Sequence, residues 1–127
     1  MKPYCDLHVH SNCSDGTFPP AQLIREAEKC GLSAIALTDH NTISGLPEFL
    51  AAAEGSTVWA IPGIEFSADY NGTELHILGL FLPENSWEPL ETLMRTFKEK
   101  KEQSTADFIV TVTLKLLVIC AVVAAML

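Results

Sequence analysis

Four histidines and sixteen acidic residues share this chain of 127, and each histidine lies in a strand-like segment beside carboxylates. His8 and His10 close the segment Asp6-Leu-His-Val-His10. Side chains alternate faces along an extended strand, so Asp6, His8 and His10 are expected on one side. Two imidazoles placed this way can grip one metal ion, with Asp6 one pleat behind to orient them. By itself a His-x-His pattern is a weak signal. His40 follows Asp39 where the apolar run Ala34–Leu37 gives way to a polar loop. That is the C-terminal end of a parallel strand, where α/β folds place their sites. Asp15, in the loop after the first strand, belongs at the same rim. Asp39 can serve that rim or cap a helix, and Asp15 can also be read as a turn former beside Gly16.

Glu65 and His76 are linked by a geometric argument. Asn71-Gly72 reads as a two-residue hairpin loop, which pairs Tyr70 with Thr73 and, three steps back, Ser67 with His76. Glu65 then lies diagonal to His76 on one face, roughly 7–8 Å away. A carboxylate and an imidazole at that spacing can share a metal. A slip of one residue would turn them to opposite faces. The plainer alternative is a buried Glu–His hydrogen bond, since an uncompensated carboxylate in an apolar strand is costly.

The elements that must position these groups follow from patterning. Residues 3–10 read as a strand. Pro19-Pro20 suits a helix first turn, followed by one apolar face of Leu23, Ile24, Ala27 and Cys30, with Lys29 in the last turn and Gly31 at the stop. Ala34–Leu37 reads as a buried parallel strand. A second helical face, Leu46, Phe49, Leu50 and Ala53, closes at Gly55. Val58–Phe66 reads as a strand interrupted at Pro62-Gly63, and Leu75–Leu82 as its returning partner. Leu90, Leu93, Met94 and Phe97 form a third helical face. The order β-α-β-α-β-β-α predicts an α/β fold with a mainly parallel sheet.

Composition narrows the function. Eight Lys and Arg against sixteen Asp and Glu leave a net charge of −8, so no double-stranded nucleic acid is expected as a partner. The chain is 48% hydrophobic, too apolar for a disordered protein. Its 127 residues make one domain and fall short of a complete (β/α) barrel, which needs roughly 200–250. Met1–Asp6 has no apolar stretch of a secretory signal, and the four cysteines form no CxxC pair. They read as reduced thiols of a cytoplasmic protein.

Several ordered motifs together resemble one family. Asp6-Leu-His-Val-His-Ser11, Ser14-Asp-Gly-Thr17, Ala36-Leu-Thr-Asp-His-Asn41, Gly63-Ile-Glu-Phe-Ser67 and His76-Ile-Leu-Gly79 look like the opening motifs of the PHP (polymerase and histidinol phosphatase) domain, over roughly residues 3–100. The resemblance implies the N-terminal portion of a distorted (β/α)7 TIM-like barrel. It implies up to three divalent metal ions, Zn, Mn or Fe, and hydrolysis of a phosphoester by a metal-activated hydroxide. Carried over by position, His8, His10 and Glu65 hold the first ion. Glu65 bridges to a second that His76 also binds, and Asp15 and His40 serve the third. The substrate class implied is a small phosphorylated molecule or a nucleotide. The family's later motifs, one further histidine and a closing Asp-x-His, have no counterpart after His76. Each ion is therefore expected to lack a ligand, and turnover by residues 1–127 alone to be near background. An amidohydrolase-like hydrolase acting on C–N bonds and a non-catalytic PHP module are the rival readings.

The division expected is a partial PHP domain over residues 1–106 and a hydrophobic tail over 107–127. From Phe108 to Leu127 the polar residues are Thr111, Thr113 and Lys115 alone. This stretch is long enough to cross a bilayer as a helix, and it would be the chain's one route to a membrane. Lys115 opposes that reading, and the Val, Ile and Thr content also suits a buried strand. A truncated or frame-shifted product is the favoured reading of the tail.

Overall fold

Two prolines set the start of the first helix. Pro19 is extended and Pro20 is the first residue of α1 (Pro20–Lys29), where a missing N–H costs nothing. No side chain of its own caps the helix; instead Glu48 accepts the Ala21 N–H at 3.1 Å. The helix stops as expected at Cys30, followed by Gly31 at a φ of +70°, the left-handed turn that glycine adopts without strain. The computed structural model describes residues 4–103. The tail of 107–127, its boundary near 106 and Cys120 lie outside the described residues.

α1 follows β1 (Tyr4–Val9) and leads into β2 (Leu32–Leu37). α2 (Leu46–Ala52) leads into β3 (Trp59–Tyr70), which returns as β4 (Thr73–Leu80). A 3-10 turn at Glu84–Ser86 then opens α3 (Trp87–Gln103). The element order is the one the patterning predicts. The sheet runs β1-β2-β3-β4, parallel between the first three strands and antiparallel between β3 and β4.

The helices bury one face of the sheet. Leu23, Ile24 and Ala27 of α1, Leu46 and Phe49 of α2, and Leu90 of α3 share a core with Ile35, Leu37, Ile64 and Phe66. Leu93, Met94 and Phe97 pack against the same core, as their spacing predicts. By strand alternation Ala34, Ala36 and Ile61 point to the other face, where they form a smaller cluster with Leu80. Glu65 shares that face with Ile61.

β3 is not interrupted at Pro62-Gly63; it is continuous over twelve residues. The strand changes partner there. Trp59–Pro62 pair with β2, and Gly63–Tyr70 pair with β4. A proline without an N–H is tolerated at such a junction. A Cβ on Gly63 would meet Gly79 O and Thr38 Cγ2 at 2.9 Å, so glycine lets three strands converge. Among the described residues no helix is long and apolar enough to cross a membrane.

Candidate metal centre

β1 delivers the two histidines through an irregularity that strict alternation does not contain. Its pairing with β2 passes from Asp6↔Ile35 to Val9↔Leu37, with a register shift between. Three steps along β1 match two along β2, a bulge of the kind that re-aims side chains beside functional sites. His8 Nε2 then lies 3.0 Å and His10 Nε2 3.1 Å from Glu65 Oε2. Asp6 does not orient an imidazole: its Oδ1 accepts the backbone N–H of His8 at 3.2 Å and so braces the strand.

The hairpin register is the predicted one, with Tyr70↔Thr73 and Ser67↔His76. The diagonal it creates brings His76 Nδ1 to 2.8 Å from Glu65 Oε1. His40 extends β2 by an isolated bridge to Glu65, which sets its Nε2 3.4 Å from Glu65 Oε2. Asp15 reaches the rim from the loop after β1, 3.1 Å from His10 Nδ1 and 3.6 Å from His40 Nε2. All six residues singled out, His8, His10, Asp15, His40, Glu65 and His76, therefore converge in three overlapping groups.

Partners not singled out in the sequence complete the arrangement. Asn41 is held at a φ of +53°. Its N–H donates to Glu65 O at 2.8 Å, and its Oδ1 accepts the Ser67 N–H at 3.0 Å. This residue clamps the turn after His40 to β3. Ser67 Oγ lies 3.5 Å from His40 Nδ1, on the ring edge away from the cluster. Glu74 stands 3.3 Å from His76 Nε2. The sequence signal for Ser67 and Glu74 was the hairpin register itself, which puts both beside His76. Asp39 does not cap a helix, because α2 begins at Leu46 with Gly45 before it.

Glu65 is 2% exposed. Burial works against its ionisation, but the hydrogen bonds from His8 and His76 and the charge of His40 and His8 outweigh it. Its carboxyl is held below the ordinary 4.5. A carboxylate depressed in the folded state contributes stability that is present above its unfolded value and is lost as pH falls through its folded value. In metal-free protein, the urea-midpoint deficit of Glu65→Gln relative to wild type is therefore expected to be full near neutral pH and to shrink below 4.5. A deficit independent of pH would contradict this electrostatic account.

The donor set is poorly satisfied by protons alone. A neutral imidazole carries one N–H, yet the Nε2 atoms of His8, His10 and His40 all face Glu65 Oε2. If each donates, His10 Nδ1 is left bare. It is buried, makes no hydrogen bond, and faces the carboxylate of Asp15. If the rings are doubly protonated, positive charges crowd together, for the His8–His10 and His10–His40 centroids are 5.0 and 4.6 Å apart. Divalent cations resolve both conflicts. Ligand atoms roughly 2.0–2.2 Å from an ion stand up to about twice that apart, and the imidazole–carboxylate separations of 2.8–3.6 Å fall inside this limit. The residues fit a divalent metal centre.

The chain is similar in sequence and fold to several known proteins. The model of the PHP domain matches residues 6–114. A 5'-3' exoribonuclease of Haemophilus influenzae is 33% identical over 102 residues, covering 80% of this chain and 37% of that protein. A 3',5'-nucleoside bisphosphate phosphatase of Chromobacterium violaceum is 39% identical over 75 residues, 59% of this chain and 26% of that one. Among solved structures, a protein assigned as a metal-dependent phosphoesterase from Bifidobacterium adolescentis superposes with a TM-score of 0.68 at 29% identity, over 77% of this chain and 35% of its own. An amidohydrolase from Chromobacterium violaceum, described with bound sulfate and no metal, gives a TM-score of 0.69 at 32% identity over 76% of this chain and 34% of its own. The chain thus spans between 26% and 37% of these proteins' lengths. The match over most of its length and the α/β architecture of its described residues establish that this chain belongs to the PHP domain family.

Proposed function

We propose that this chain carries part of the site of a metal-dependent phosphoesterase acting on a small phosphorylated molecule or a nucleotide. The observation that carries the reading is the convergence of four imidazoles on the two oxygens of buried Glu65. In this reading His8, His10 and Glu65 hold a first ion, Glu65 and His76 share a second, and Asp15 and His40 serve a third. Mixed imidazole and carboxylate donors suit Zn, Mn and Fe alike. Divalent ions held by these residues would supply charge to neutralise phosphoryl oxygens and would lower a water's pKa toward neutral. Glu65 fixes the spacing of the neighbouring positions. The His8 and His76 side chains, 49% and 44% exposed, form the open side that a substrate approaches. His10 and His40 lie deeper, at 19% and 24%.

The relatives' names, an exoribonuclease and a nucleoside bisphosphate phosphatase, both describe cleavage at phosphate and support a nucleotide-like ligand. A net charge of −8 favours a short phosphorylated ligand over a duplex. The exposed, unpaired Cys5, Cys13 and Cys30 fit a reducing compartment, so the cytoplasm is the location proposed with this activity.

With Glu65 shared, the six side chains give the first ion three protein donors and the other two ions two each, below the four ligands usual for zinc. Water, or residues beyond the described ones, must complete each sphere, so turnover by this chain is expected to be weak. The test is phosphate release from an aryl phosphate and a nucleoside 3',5'-bisphosphate, beside an aryl amide, with and without chelator. Calorimetric titration with inorganic phosphate supplies a readout independent of turnover. Chelator-sensitive phosphate release and binding are expected, with no amide cleavage. Amide cleavage without phosphate release would favour the amidohydrolase reading, and chelator-insensitive phosphate release would remove the metals from the reaction.

A further inference from the structure

We infer that Asp39 is a positioning residue for the metal centre: its buried carboxylate ties the loop that carries Asp15 to the strand end that carries His40. The inference rests on the metal reading of the six converging residues. Asp39 is 1% exposed and belongs to none of the three converging groups. Its oxygens accept the Ser11 N–H at 2.6 Å, the Ser11 hydroxyl at 2.6 Å and the Ser14 hydroxyl at 2.7 Å. A carboxylate is buried without penalty only when its lone pairs are met by donors, and donors to a charged acceptor give the stronger hydrogen bonds.

Ser11 is in turn the hub of the loop. Its carbonyl accepts the N–H groups of Ser14 at 3.1 Å and Gly16 at 2.8 Å, the two residues that flank Asp15. A Cβ on Gly16 would stand 2.1 Å from His10 O, so the loop is pressed against the chain just after β1. The Asp15 side chain is 67% exposed, and the one hydrogen bond it accepts is a long one, 3.4 Å from Ser14 Oγ. Its place is therefore dictated by the loop backbone. Asp39 precedes His40 directly, and its own carbonyl accepts the Glu65 N–H at 3.2 Å. One residue thus fixes the approach of Asp15 to His10 and His40. Glu65, His8 and His76 are held by their own strands.

The test is Mn2+ binding to the full chain, followed by metal content and electron paramagnetic resonance. Asp39→Ala is expected to reproduce Asp15→Ala, weakening the ion that Asp15 and His40 serve by roughly 10–100-fold, the usual loss for a partner of a ligand. The ion of His8, His10 and Glu65 should be retained. Asp39→Asn, whose amide oxygen can still accept the Ser11 N–H and the Ser14 hydroxyl while the Ser11 hydroxyl turns to accept from the amide N–H, should recover most of the loss. Should Asp39→Ala fail to fold, Ser14→Ala decides the matter, because it removes only the part-buried hydroxyl that donates to Asp39 at 2.7 Å, with its long 3.4 Å contact to Asp15, and should weaken the same ion alone. Asp39→Ala or Ser14→Ala binding Mn2+ like wild type, while Asp15→Ala loses an ion, would overturn the inference and leave the metal reading standing. No Mn2+ bound by wild type would overturn the metal reading and the inference together.

Discussion

Replacing His8 and His10 together by alanine is expected to strip the most tightly held ion, lowering the metal retained through dialysis by about one equivalent per chain and weakening its affinity by more than roughly 100-fold. The size follows from what each ring does. Both Nε2 atoms stand within 3.1 Å of the same carboxylate oxygen, Glu65 Oε2, so they are two of the three protein donors at that position. Loss of an outer partner alone costs 10–100-fold, and loss of two donors must exceed it. His8 is half-exposed, so the exchange leaves the helix-facing core untouched and the variant should fold. Metal analysis that finds equal content in wild type and double variant would reject this assignment.

Glu65→Gln is the second large effect, and it should weaken two ions at once. Glu65 is common to the group with His8 and His10 and to the group with His40 and His76. Its Oε2 faces His8, His10 and His40, and its Oε1 faces His76. An amide keeps the shape but lacks the charge, and only one of its two polar ends can accept. Asp69→Asn is the matched control. Asp69 is on the same face of β3, but its Oδ1 accepts the Gly72 N–H of the turn at 2.9 Å, away from the cluster. Metal content should fall in the first variant and stay at the wild-type level in the second. Equal losses would mean that Glu65 does not bridge.

The hairpin shows why part of this site was legible in the sequence. A two-residue Asn-Gly loop admits one register, and strand alternation then puts Glu65 and His76 on one face without reference to the rest of the chain. The helix boundaries at Pro20 and Gly31 were readable for the same local reason. The bulge in β1 was not, because nothing in Tyr4–Val9 marks it; it arises from fitting β1 to β2 around His8. Pro62-Gly63 looked like a break because local rules describe a strand with one set of partners, whereas β3 changes partner there. Asp39 carried a helix-cap signature, and its actual partners, Ser11 and Ser14, lie on the preceding loop. Only the pairing of β1 with β2 brings them together. Local chemistry and the family resemblance together named the six converging residues, and tertiary pairing supplied the residues that hold them.

The most direct test of the shared metal centre is anomalous diffraction from crystals of the chain grown with Mn2+. Two ions should flank the Glu65 carboxylate, one beside His8 and His10 and the other beside His76, each within about 2.0–2.3 Å of its protein donors. A single ion away from Glu65, or Mn2+ absent from all three groups at saturating concentration, would contradict the account.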